Sequence, residues 1–135
     1  MKKILIPIDG SERSLDSVRL LKDQFSPSEV EVYLLMVVET LEDILTKEQC
    51  DMTRMQYQSI LDKVTKDIAQ YKATTHITNG LAGTEILNYA DTHNIDIIVM
   101  TRSTKKGLAK ILGSVTSFVV KNAQQVVMVV PESKS

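Results

Sequence analysis

The sequence predicts one α/β domain over residues 1–135: a doubly wound, five-stranded parallel sheet in the expected order 3-2-1-4-5, with helices on both faces. Short β-branched apolar runs alternate with amphipathic helical stretches, the pattern of right-handed βαβ crossovers. Gly, Pro or polar turn residues punctuate the ends of the runs. A length of 135 residues with 43% hydrophobic and 24% charged residues suits one globular core.

Ile4 to Ile8, ending before Gly10, reads as a buried strand. Ser11 is placed to cap a helix with Leu15, Val18, Leu21 and Phe25 on its apolar face, stopped by Pro27. Val30 to Val38 carries only Glu31 as a charge and reads as a second buried strand. Leu41 to Lys72 lacks Gly and Pro. There Met52, Met55, Tyr57, Leu61, Val64, Ile68 and Tyr71 recur at three- and four-residue steps, which predicts one long helix.

Thr74 to Thr78 alternates as a half-exposed strand. Gly80 and Gly83 open a helix with Ile86, Leu87 and Ala90 inward, closing near Asn94. Ile95 to Met100 is a fourth strand, and Thr101 to Leu112 a basic connection. Gly113-Ser114 precedes a short helix bearing Val115, Val119 and Ala123. Val126 to Val130 is a fifth strand, ended by Pro131 and followed by a polar tail.

Composition narrows the function. A net charge of -1 favours neither nucleic acid nor an anionic membrane surface. Two Phe, four Tyr and no Trp leave little material for stacking bases. The lone Cys50 excludes an internal disulfide, no run is long enough for a membrane span, and the N-terminus lacks a signal-peptide core. A cytoplasmic protein is expected.

Doubly wound sheets bind ligands outside the carboxyl ends of their strands, where strand order reverses. That directs attention to Pro7–Gly10, to the Val37–Thr40 stretch and to Thr101–Ser114. Gly113-Ser114 starts a helix, whose unpaired N–H groups and partial positive charge suit a phosphate; equally, Gly and Ser commonly do no more than cap a helix. Arg102, Lys105, Lys106 and Lys110 precede it without a nearby acid and can neutralise phosphate charge, or form a solvated basic loop. Asp9 can accept from ribose hydroxyls or an adenine amino group, hold magnesium, or simply shape the Asp-Gly-Ser turn.

Catalytic signatures are sparse. His76 and His93 lack metal-ligand spacing, Cys50 has no histidine near it in sequence, and Glu42-Asp43 reads as a pair of helix-start charges. No P-loop occurs. No catalytic residue and no metal ligand is nominated, and the chain is expected not to be an enzyme.

KKILIPIDGSERS (2–14), GLAGTEILNYADTHNIDIIVMT (80–101) and GLAKILGSVTSFVVKNAQQVVMVVP (107–131) together resemble the universal stress protein family over nearly the whole chain. The resemblance implies a stress or regulatory protein that binds ATP or a related adenine nucleotide, with or without Mg2+. It sets Pro7 and Asp9 beside base and ribose, Val37 or Val38 against adenine, and Thr101, Arg102, Thr104, Lys105, Gly113, Ser114 and Val115 about the phosphates.

The family's phosphate motif runs Gly, two residues, Gly, nine residues, Gly, then Ser or Thr. Gly113-Ser114 matches its end. Thr101 and Thr104 stand where the first two glycines belong, and only eight residues separate Thr104 from Gly113. The alternative is therefore a dimeric protein-interaction module of the same fold that has lost its nucleotide. A flavodoxin-like module is disfavoured, since no aromatic side chain falls near the expected strand ends. Val126–Val130, apolar on both faces yet at a sheet edge, predicts a homodimer through that strand, as the resemblance also implies.

Overall fold

The computed structural model describes residues 1–39, 46–102 and 113–131. Five strands, β1 (Lys2–Pro7), β2 (Val30–Val38), β3 (Lys72–Asn79), β4 (Ile97–Thr101) and β5 (Val126–Val130), form one sheet. Its order is β3-β2-β1-β4-β5, and every neighbouring pair is parallel. The expected doubly wound order is the observed one.

Parallel strands need crossovers, and four helices supply them: α1 (Asp16–Gln24), α2 (Lys47–Asp67), α3 (Ala82–Thr92) and α4 (Ser114–Asn122). The two-residue period of a strand sends alternate side chains of β2 to opposite faces. Val32, Leu34 and Met36 join Val18 and Leu21 of α1 and Leu61 and Val64 of α2. Tyr33 and Leu35 join Ile86, Tyr89 and Ala90 of α3 and Val119 of α4. A strand buried on both sides must be apolar throughout, which is why β2 reads as an uninterrupted run.

Boundaries differ from the expectation where burial and helicity part company. α2 begins at Lys47, because Thr46 and Gln49 close a reciprocal capping box: Thr46 Oγ1 accepts from Gln49 N at 3.2 Å, and Gln49 Oε1 from Thr46 N at 2.9 Å. The helix ends at Asp67, although the apolar period runs on. Ile68 and Tyr71 are buried from the following turn, and Tyr71 Oη donates to Phe25 O at 2.5 Å. The expected stretch 41–45 and the pair Glu42-Asp43 lie outside the described residues. Ser11 Oγ does accept from Ser14 N, at 3.2 Å, but at a short 3-10 turn (Arg13–Leu15) that precedes α1.

Gly80 and Gly83 play separate roles. Gly80 has φ +140° and ends β3 with its N–H on Val38 O at 3.1 Å. Gly83 lies in the first turn of α3, where a Cβ would come within 2.5 Å of the Phe118 ring. There the glycine lets α3 and α4 approach closely.

Candidate functional site: the carboxyl rim of the sheet

Because all five strands are parallel, their carboxyl ends share one rim. Pro7 to Asp9 leave β1, Val37 to Glu39 leave β2, and Thr101-Arg102 leave β4. β1 lies between β2 and β4, so these three exits are adjacent. The sequential crossovers leave β1 toward β2 on one side and return to β4 on the other, which opens a crevice at this reversal point.

The turn after β1 is built by Asp9 and Gly10. Asp9 Oδ1 accepts from Ser11 N at 2.9 Å, so the carboxylate does perform the turn-forming role. Oδ2 carries no hydrogen bond among the described residues, and the side chain is exposed at the rim. Gly10 has φ +89°, a left-handed conformation that favours glycine. Pro7 is half-buried; the following residue, Ile8, donates its N–H to Leu35 O at 2.8 Å, tying the turn to β2. Val38 is buried in the core, whereas Val37 is half-buried on the α3–α4 side. Of the pair, Val37 is better placed to meet a ligand.

The opposite wall is assembled by backbone bonds. Arg102 N donates to Val130 O at 3.1 Å, and Gly113 N donates to Arg102 O at 2.8 Å. Thr116 Oγ1 donates to Thr101 O at 2.8 Å. The carboxyl ends of β4 and β5 are thereby fastened to the start of α4. Gly113 is the N-cap residue with φ -64° and ψ 161°, a conformation open to any residue, and among the described residues no side chain caps the helix. The backbone at this position therefore does not itself require a glycine. Ser114 is exposed, Val115 half-buried, and Thr101 buried at 8% exposure.

The first N–H groups of α4 have no intrahelical acceptor and carry the positive end of the helix dipole. An anion is the natural ligand for this corner. The structure thus brings Thr101, Arg102, Gly113, Ser114 and Val115 together and sets Pro7, Asp9 and Val37 along the same rim. Thr104 and Lys105, with Lys106 and Lys110, lie outside the described residues.

One residue of this rim carries no motif in the sequence. Tyr57 of α2 is half-buried against the core formed by β1 and β2. Burial first, and then the charges of Asp9 and Glu39, push its hydroxyl above the usual phenol pKa. In sequence it is one more apolar step of a helical period.

The histidines serve packing. The His93 ring stacks on Tyr89 at 3.8 Å, with its Nδ1 3.0 Å from Tyr89 O, at the end of α3 remote from the rim. His76 stacks on Tyr89 from the edge strand β3, at 5.6 Å. Among the described residues, no group of three or more His, Cys, Asp or Glu is placed to hold a metal, and no helix is long and apolar enough to cross a membrane. An open cavity of about 430 Å³ lies between α2 and β3, lined by Arg54, Met55, Gln58, Thr75, His76 and Ile77. None of the expected site residues lines it.

Comparison with known proteins agrees with this architecture. A universal stress protein of Methanocaldococcus jannaschii is 32% identical over 142 aligned residues, covering 98% of this chain and 84% of that protein. The solved hypothetical protein MJ0577 superposes with a TM-score of 0.88 at 29% identity, over 99% of this chain and 98% of the other. Two more distant structures share the fold at 16% identity. One is the Archaeoglobus fulgidus universal stress protein in complex with dAMP, with a TM-score of 0.70 over 96% and 97% of the chains. The other is an Arabidopsis thaliana family protein with AMP bound, with a TM-score of 0.71 over 99% and 93%. The model of the universal stress protein family matches residues 1–131, and the chain belongs to that family.

Proposed function

We propose that this protein binds an adenine nucleotide, ATP or a close relative, across the carboxyl rim and acts in a stress response as a binder and not as an enzyme. The observation that carries the reading is the uncapped start of α4, anchored by Gly113 N to Arg102 O and facing the same crevice as Asp9 and Val37. Dipole and free N–H groups supply phosphate affinity. Asp9 is suited to the ribose or the base, and Val37 to an adenine face. That fold neighbours are known with AMP and dAMP supports an adenine nucleotide as the ligand class.

Calorimetric titration with AMP and ATP, each with and without Mg2+, tests this. Binding in the micromolar to millimolar range is expected. Absence of heat and of any thermal shift at millimolar nucleotide would refute it.

A second reading rests on Thr101. This residue stands where the family motif has a glycine, and its buried side chain fills space that a glycine leaves open. Under that reading the fold persists as a protein-interaction module without nucleotide. Capture of partners that is unchanged by stripping nucleotide favours it; capture that disappears on stripping refutes it.

For either reading we propose a cytoplasmic homodimer formed through β5. This edge strand leaves Val126 62% exposed and Val127, Met128 and Val129 only half-buried. An apolar edge invites a further strand, and a twofold pairing with its own copy closes it.

A further inference from the structure

Asn79 and Gly80 form an Asn-Gly step where β3 ends. The chain's other asparagines, Asn88, Asn94 and Asn122, are followed by Tyr89, Ile95 and Ala123, which all carry a Cβ. Before a glycine the next backbone nitrogen reaches the side-chain amide carbon unobstructed, because no Cβ shields it. The fold leaves this step accessible. Asn79 is exposed on an edge strand and pairs with Val38 at the last position of the β2–β3 ladder. The nucleophile is held by one backbone bond, from Gly80 N to Val38 O at 3.1 Å. A bond at the end of an edge ladder opens at small cost. The electrophile is already engaged: Arg54, half-buried on α2, donates from Nη2 to Asn79 Oδ1. Among the described residues Arg54 has no carboxylate partner.

We propose that Asn79 is a site of spontaneous deamidation, promoted by Arg54. Gly80 N bonds to Asn79 Cγ and gives up its proton; the Cγ–Nδ2 bond breaks, and Nδ2 leaves with that proton as ammonia. A succinimide ring closes. Water then opens the ring at either carbonyl, leaving aspartate or isoaspartate at position 79 with no oxidation or reduction. As the nitrogen adds, negative charge gathers on Oδ1, and the guanidinium stabilises it as an oxyanion-hole donor does. The product carboxylate stays within reach of the same guanidinium, so a hydrogen bond to a neutral amide becomes a charge-assisted ion pair. Isoaspartate also inserts a methylene into the main chain ahead of Gly80, which draws Gly80 N away from Val38 O. The modification thus adds one negative charge at the end of β3 and loosens its join to β2.

The test ages the purified full chain at mildly alkaline pH and scores every asparagine by peptide mass spectrometry for exchange of amide for acid. Isoaspartate is read by labelling with an isoaspartate-specific methyltransferase. Native Asn79 is expected to convert at least about tenfold faster than Asn88, Asn94 or Asn122. Arg54→Met should slow the native conversion about three- to tenfold while leaving the rate in urea unaltered, since the contact exists only in the folded chain. Arg54→Lys, which restores a cationic donor, should recover part of the native rate. Conversion of native Asn79 no faster than that of the other asparagines overturns the assignment. A native rate unchanged or raised in Arg54→Met, at an unaltered melting temperature, overturns the role given to Arg54.

Discussion

Replacing Gly80 by alanine tests the join between the edge strand and the helix that follows it. At φ +140° an L-residue is strained by about 1–3 kcal/mol. The new Cβ would stand 3.0 Å from Glu85 Cγ, and Glu85 is the acceptor for Thr78 Oγ1 at 3.1 Å. Displacing that side chain forfeits about 1 kcal/mol of hydrogen bonding. The restricted unfolded chain returns about 0.4–1 kcal/mol. The net loss is roughly 1–3.6 kcal/mol. With an unfolding entropy of about 2.1 cal/mol/K per residue, 135 residues give roughly 0.28 kcal/mol/K, so the midpoint falls by about 4–13 °C. Scanning calorimetry reads this directly. Glu85→Ala, alone and combined with Gly80→Ala, separates the backbone from the contact: the double variant should keep most of the loss. A drop below about 2 °C in Gly80→Ala would refute the strain argument.

Further outcomes follow from the rim, the edge and the tyrosines. Gly113→Val should abolish AMP binding with little change in melting temperature, because the backbone at φ -64° accepts valine while the branched side chain obstructs an approaching phosphate; retained affinity would show that phosphate does not approach there. Val126→Asp, at a largely exposed position, should weaken self-association at least about tenfold in sedimentation velocity without unfolding the monomer. Alkali should destabilise the protein through Tyr33, Tyr57 and Tyr89, whose pKa values are raised chiefly by burial. The fold holds their protons where the unfolded chain releases them, so this stability is complete below about pH 10 and is lost as pH rises through the folded-state values. A flat urea midpoint from pH 9 to 11 would contradict that.

Much of this architecture is legible in the residue order. β2 and β5 fall on Val30–Val38 and Val126–Val130 as the apolar runs predict: β2 is buried between helices and has no polar positions to blur its ends, and the apolar run of β5 is bounded by Gln125 and Pro131. α2 is harder at both ends. Its start is written in Thr46 and Gln49, a capping signal that competes with the apolar residues before it. Its end is obscured because Ile68 and Tyr71 keep the helical period while packing from a turn: periodicity reports burial, and a turn can bury side chains as well as a helix can.

The rim shows the same division. Asp9, Gly113 and Ser114 follow from strand-end chemistry alone. Tyr57 does not, since its relation to Asp9 depends on how α2 rests against Gly10, a contact between segments about fifty residues apart. The glycine at 113 carries a different lesson. Sequence singles it out, but only its ordinary dihedral angles reveal that the chain does not use a glycine's backbone freedom there.

The parallel sheet also fixes where attachments can report. β1 starts at Lys2 on the amino rim, whereas β5 ends at Val130, whose carbonyl is held by Arg102 N at the crevice. Six strand residues span about 20 Å, so a dye joined ahead of Lys2 is a full sheet height from any bound ligand. A dye carried on a cysteine at position 131, next to Val130, lies beside the corner where α4 begins. The first position suits surface immobilisation that leaves the crevice open, and the second suits an optical sensor of its occupancy.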